Sequence, residues 1–249
     1  MKKRRLFSLF LSFALLLPLF SLTSADAYED FTLDAKAGLL IEADTGEILY
    51  EKNAHQENYP ASLTKVMVAL LVFEAIDEGK IALTDSVTAT ESAFEGLSSD
   101  GSTANIVPGE TMTVEQLLNC MLIVSANEAC NILGETLYGS VDAFVARMNE
   151  RAAELGCEHT HFANATGLHN SQHYTTAWDL YLITREALKH DKFMEICNSK
   201  SYTVPATNMT DKPRELHSTN FLISNWRARG YVYRDAQGIK TGSTPEAGY

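Results

Sequence analysis

Apolar and polar positions change their period several times along the chain, and each change marks an element. Leu6 to Leu22 is almost wholly apolar, follows the basic cluster Lys2, Lys3, Arg4 and Arg5, and is followed by the small-x-small site Ala25, Asp26, Ala27. Residues 1–27 therefore read as a secretory signal peptide; the alternative is a retained anchor, since about 17 apolar residues lie at the lower limit for crossing a bilayer. Residues 38–50 hold two β-rich runs around Asp44, Thr45 and Gly46, which predicts a hairpin. From Ala61 to Ile76 the apolar residues Leu63, Val66, Met67, Leu70 and Leu71 recur at helical spacing, and Gly79 supplies a stop. This helix should be mostly buried.

Ser86 to Glu110 is polar and aperiodic and reads as a long surface loop, after which Thr113 and Gln116 form a capping-box pattern. Helices are predicted over Val114–Tyr138 with a break near Ser125, over Val141–Leu155, and over Ala177–Lys189 behind the cap Thr176. Beyond them the texture returns to strands. A strand hairpin, a helical middle and late strands together predict an α/β (α+β) sandwich whose terminal segments share one sheet.

Composition changes this picture little: 45% hydrophobic and 21% charged residues suit a globular domain. Charge narrows it more. Loss of residues 1–27 removes four cations and one anion, so the formal charge moves from −12 to −15, which argues against nucleic acid as a partner. Cys120, Cys130, Cys157 and Cys197 show no dense spacing and are expected as buried thiols. Cys157, His159, His161, His169 and His173 have metal-ligating chemistry, but the text from Gly167 to Gln172 favours a loop over a helix that would align the last two histidines. No metal and no other cofactor is expected.

The chemistry that stands out is Ser62 and Lys65, three residues apart at a helix start, where a hydroxyl and an amine project from one face. A serine hydroxyl needs an adjacent base, and lysine can be one if burial or a second cation lowers its pKa. S-x-x-K alone recurs by chance about once in a chain of this length. Here Ser125-Ala126-Asn127 and then Lys240-Thr241-Gly242 follow in order. They add a second hydroxyl to relay a proton, an amide to hold a substrate backbone, and a cation on a strand for a carboxylate.

These triplets, with residues 60–65, 122–129, 162–168, 173–177, 238–242 and 246–249, resemble the low-molecular-mass penicillin-binding proteins that act as D-alanyl-D-alanine carboxypeptidases. The resemblance implies a β-lactamase/transpeptidase-like sandwich with a mostly antiparallel sheet and a helical subdomain, residues 28–249 forming the catalytic domain. It implies that Ser62 attacks the carbonyl between two D-alanines of a peptidoglycan stem peptide, with Lys65 as base and Ser125 as proton relay. Asn127 would bind the substrate amide, Lys240, Thr241 and Gly242 the carboxylate end, and the N–H groups of Ser62 and Ser243 the oxyanion. β-Lactams would be covalent inhibitors. The protein would be secreted and extracytoplasmic.

Two departures from the family pattern stand out. Thr219 occupies the place where some relatives carry a carboxylate-binding arginine, and Arg227, Arg229 and Arg234 align with no such role. The chain also stops seven residues after Gly242, before the closing strands, helix and C-terminal membrane anchor that the resemblance leads one to expect. It reads as truncated there, leaving a strand edge unpaired. Two rivals remain: a catalytically silent wall-binding or penicillin-binding protein, and a serine β-lactamase, whose deacylating glutamate is not recognisable between Asn127 and Lys240.

Overall fold

The structure is a computed structural model that describes residues 32–248, so the signal-peptide reading of residues 1–27 lies outside it. All elements below belong to the compact unit Lys36–Tyr249; Met1–Ala35 is a separate unit. Among the described residues, no helix is long and apolar enough to cross a membrane.

The predicted hairpin forms from β1 (Gly38–Ile41) and β2 (Ile48–Lys52), paired antiparallel with Leu39 opposite Glu51 and Leu40 opposite Tyr50. The turn closes because Gly46 takes φ 75° and its N–H reaches Glu42 O at 2.9 Å. A 3-10 turn, Ala61–Thr64, leads directly into α1 (Lys65–Asp77). Every residue from Lys65 to Phe73 is buried, so α1 has no solvent face and runs through the middle of the unit. It ends where the pattern predicts: Gly79 takes φ 71°, its N–H bonds Ile76 O, and Lys80 N–H bonds Ala75 O.

Around α1 pack α2 (Val114–Ile123), α3 (Asn127–Tyr138), α4 (Val141–Glu154) and α5 (Ala177–Ala187). The capping box is present, with Gln116 N–H on Thr113 Oγ1 at 3.2 Å and Thr113 N–H on Gln116 Oε1 at 2.9 Å. At the starts of α4 and α5, Ser140 Oγ accepts from Ala143 N–H and Thr176 Oγ1 from Asp179 N–H, single N-caps without the return bond. Helices α3 and α4 approach so closely that a Cβ on Gly134 would fall 2.3 Å from the Phe144 ring.

Three expectations need correction. The polar stretch 86–110 is not all loop: β3 (Ser86–Thr88) pairs antiparallel with β4 (Thr111–Thr113), its single buried Val87 being too little apolar text to betray a strand. The late region opens with a helix, α6 (Asp191–Cys197), whose buried Phe193, Ile196 and Cys197 have helical spacing. Only then do β5 (Ser201–Val204) and β6 (Arg214–His217) pair.

Most consequential, the described strands make three separate two-stranded sheets instead of one shared sheet. Lys240-Thr241-Gly242 belongs to no strand among the described residues. Its contacts are side-chain bonds and close packing against the Ser62 turn, so no ladder partner defines it. The mixture of helices and antiparallel strands is nonetheless the predicted one.

Candidate active site

The site is assembled where the start of α1 meets the break between α2 and α3. Ser62 lies in the 3-10 turn, behind Pro60 and Ala61. Ala61 holds φ 48°, a left-handed conformation costly for a residue with a Cβ. Gly167 explains part of how it is held. At φ 84° its backbone presses on the turn so closely that a Cβ there would fall 1.9 Å from Ala61 O and 2.9 Å from Ser62 N.

One turn further on, the fully buried Lys65 reaches back. Its Nζ lies 3.0 Å from Ser62 Oγ, 2.8 Å from Asn127 Oδ1 and 2.6 Å from Thr166 O. Two of these neighbours can only accept. A neutral amine would give them its two N–H groups and leave its lone pair facing the Ser62 hydroxyl, an arrangement able to withdraw the serine proton.

Burial is the largest influence on Lys65 and lowers its pKa, while Glu128 pulls the other way. Burial lifts the nearby Cys130 thiol to about 11, so this group is neutral near pH 7 and offsets little. Glu128 is itself committed, accepting from Thr103 Oγ1 at 2.7 Å and Ala104 N–H at 2.8 Å. It thereby pins the loop preceding β4 to the first turn of α3, where Asn127 N–H also bonds Ser102 O. A Cβ on Gly101 would meet Asn127 Nδ2 at 2.7 Å, so this loop walls the amide closely.

Ser125 sits in the helix break at φ 66°. Its Oγ is buried and has no hydrogen-bond partner among the described residues. A buried hydroxyl left without a partner is costly.

The opposite wall is the late segment. A Cβ on Gly242 would lie 3.0 Å from Pro60 O and 3.1 Å from Leu63 N, so the backbone of Gly242, with Ser243 next to it, runs directly against the Ser62 turn. Lys240 Nζ donates to Thr241 O at 2.7 Å. Burial among protein atoms, then repulsion from Lys65, lowers the Lys240 pKa to about 7. Thr219, anchored by its N–H to Ile123 O at the end of α2, shares a 2.7 Å hydrogen bond with Thr241 Oγ1.

The structure thus brings Ser62 and Asn127 each to the Lys65 amine and lays Gly242, with its neighbours, against the Ser62 turn. Given no role from the sequence were Thr166 and Glu128, although both lie in segments that carry the resemblance, and Gly101, which lies in none of them. For Thr166 a signal existed: Asn164 Oδ1 accepts from Thr166 N–H, Thr166 Oγ1 and Gly167 N–H, the turn chemistry typical of asparagine before glycine. Among the described residues no group of three His, Cys, Asp or Glu side chains could hold a metal ion. All four cysteines are free and buried.

Comparison with known proteins gives the family. A family described as D-alanyl-D-alanine carboxypeptidase, peptidase S11, matches residues 23–249. The D-alanyl-D-alanine carboxypeptidase DacF of Bacillus subtilis is 40% identical over 216 residues, covering 87% of this chain and 52% of the relative. A D-alanyl-D-alanine carboxypeptidase of Streptomyces sp. K15 is 31% identical over 91% of this chain and 78% of its own.

Among solved structures, the Streptomyces K15 DD-transpeptidase superposes with a TM-score of 0.78 at 31% identity, covering 89% of this chain and 85% of that one. The DacD carboxypeptidase of Francisella tularensis gives 0.78 at 25% identity, over 93% and 67%. These likenesses bear out the predicted transpeptidase-like fold class. The chain spans about half the length of several curated relatives it matches, 52% in four of them. On sequence and fold alike, this chain belongs to the D-alanyl-D-alanine carboxypeptidase family of serine peptidases.

Proposed function

We propose that the protein removes the terminal D-alanine from peptidoglycan stem pentapeptides through an acyl-enzyme on Ser62, with residues 28–249 carrying the catalytic machinery. The observation that carries this reading is the position of Lys65: a buried amine 3.0 Å from Ser62 Oγ, with Asn127 and Thr166 occupying its other directions.

Lys65, neutral, takes the proton of Ser62 as Oγ attacks the carbonyl between the two D-alanines. The developing oxyanion lies between the N–H groups of Ser62 and Ser243. Collapse expels D-alanine as the amine, protonated through Lys65 and the Ser125 hydroxyl, and leaves an ester on Ser62. Water then attacks the ester, gives its proton back through the same groups, and releases the shortened peptide. Lys240, Thr241 and Gly242 hold the terminal carboxylate, and Asn127 steadies the peptide amide. β-Lactams acylate the same serine. The reaction takes place outside the cytoplasm, with residues 1–27 as the export signal and no cofactor required.

A second reading has one observation behind it: the matching Streptomyces K15 protein is described in its structure as a DD-transpeptidase. In that case an amine instead of water resolves the same acyl-enzyme. The test is D-alanine release from a pentapeptide stem mimic, with and without an acceptor amine, with Ser62→Ala as control. Release that Ser62→Ala abolishes supports the proposal. A cross-linked product at the expense of free acid favours transfer, no release by a folded protein favours a silent binder, and fast penicillin turnover favours a β-lactamase.

A further inference from the structure

The Ser62 turn is held from behind by a buried histidine to which the steps above give no part. His173 is 2% exposed, and Phe162 packs edge-on to its ring. Its Nδ1 accepts the backbone N–H of Ala163 at 3.1 Å. Because that partner can only donate, Nδ1 must carry the lone pair and Nε2 the proton. Nε2 lies 2.7 Å from Thr64 Oγ1, which lies 2.8 Å from Ala61 O. Thr64 has one proton; receiving from Nε2, it gives its own to Ala61 O. The chain of bonds therefore runs one way, from Ala163 through His173 and Thr64 to the carbonyl of the residue before Ser62.

That carbonyl belongs to the strained Ala61, pressed from the other side by Gly167. A left-handed alanine persists only where its surroundings over-determine it, and these contacts are what determine it. We propose that His173, as the neutral Nε2–H tautomer, is a positioning residue that acts through Thr64 to hold the Ala61–Ser62 peptide where Ser62 Oγ meets Lys65. This rests on the acyl-transfer reading of the site.

The surroundings keep the ring neutral. Burial is the main cause, and the titratable groups acting on it, His161, Lys65 and His169, are all cations when protonated; the pKa is held down to about 4. A second ring proton would also set Nδ1–H against the Ala163 N–H. The arrangement is thus intact near neutral pH.

The test compares His173→Asn, His173→Gln and Thr64→Val in the protein that carries this chain, measuring the second-order rate of Ser62 acylation by labelled penicillin and the melting temperature. Asparagine can still accept from Ala163 but cannot reach Thr64; acylation should fall about 10- to 100-fold, the cost of small misplacement at a reacting centre. Thr64→Val should lose as much, and the double variant little more. Glutamine, whose amide can reach Thr64, should recover most of the rate although it melts no higher than the asparagine variant. Nitrogen-15 NMR should show His173 protonated on Nε2 alone.

Acylation at the wild-type rate in both His173→Asn and Thr64→Val, rates that simply follow melting temperature, or a proton on Nδ1 would overturn the inference. Should His173→Asn not fold, Thr64→Val with the NMR measurement decides alone. A wild-type protein that forms no adduct removes the acyl-transfer reading and this inference with it. A wild-type adduct that Ser62→Ala abolishes, formed equally fast by the His173 and Thr64 variants, removes this inference and leaves the acyl-transfer reading standing.

Discussion

The two walls of the site are built by different means. The wall carrying Ser62, Lys65 and Asn127 is made of helix starts: Lys65, Asn127 and Glu128 are buried there, and the Lys65 amine and Glu128 Oε1 have their partners within the protein. The wall carrying Lys240 to Ser243 is an extended segment outside any sheet, fixed by Asn220 Nδ2 on Gly238 O at 2.6 Å, Asn198 Oδ1 on Gly238 N–H at 2.7 Å, and Thr219 on Thr241. The chain leading to it in sequence exposes Trp226, Tyr231 and Tyr233 at 64%, 62% and 63%. Burial lowers the pKa of a lysine on each wall, but Ser62 and Lys65 are fixed by helix starts, whereas Lys240 follows an exposed stretch of chain. One site can thus divide rigidity and access between two elements.

Ser62→Ala is the severest way to probe the first wall. D-alanine release should fall by about 10⁴- to 10⁶-fold while the fold stays intact, as for other serine nucleophiles removed alone. Gly167→Ala strikes the same wall through its backbone. A Cβ driven into Ala61 O at φ 84° should destabilise the protein by about 3 kcal/mol or more and depress acylation even below the melting transition, as read by thermal denaturation and penicillin labelling.

Variants of the second wall should act on binding. Lys240→Ala should raise KM for a carboxylate-bearing peptide by about 10- to 100-fold, the worth of a charged hydrogen bond, and change the rate with a carboxylate-free ester far less. The pH profile separates the walls further. Lys240 has its pKa lowered to about 7 in the free protein, so its cation, and with it capture of a carboxylate, is lost as pH rises through that value. Then kcat/KM for the peptide should decline above about 7, and the decline should vanish with the ester. Thr219→Val is the mildest: losing the bond to Thr241 should cost about 1 kcal/mol, or roughly fivefold in kcat/KM. Equal losses with both substrates would contradict the division between the walls.

Much of the first wall was legible because local rules place it. The three-residue spacing of Ser62 and Lys65, the Thr113–Gln116 box, the Gly79 stop and the Thr176 cap each follow from the periodicity and end chemistry of helices, and all appear. The second wall was legible as a motif but not as structure. The Lys-Thr-Gly triplet is expected on a strand from the texture of the late region and the resemblance, yet strand formation depends on a partner that short-range text does not specify. Contacts joining distant segments were invisible for the same reason. Thr166 reaches Lys65 across 101 residues, and Thr219 meets Thr241 from another turn. His173 drew notice for its metal-binding chemistry, while its partner Thr64 lies 109 residues earlier.

Everything proposed for the site depends on burial making Lys65 a neutral base for Ser62. The decisive observation is the pH dependence of Ser62 acylation by a carboxylate-free ester, for which Lys240 has no charge to capture. The rate should rise with pH to a plateau, with a midpoint well below the ~10.4 of free lysine, and that midpoint should be lost in Lys65→Arg. A midpoint near the ~10.4 of free lysine, or one unchanged in Lys65→Arg, would show that Lys65 is not the base.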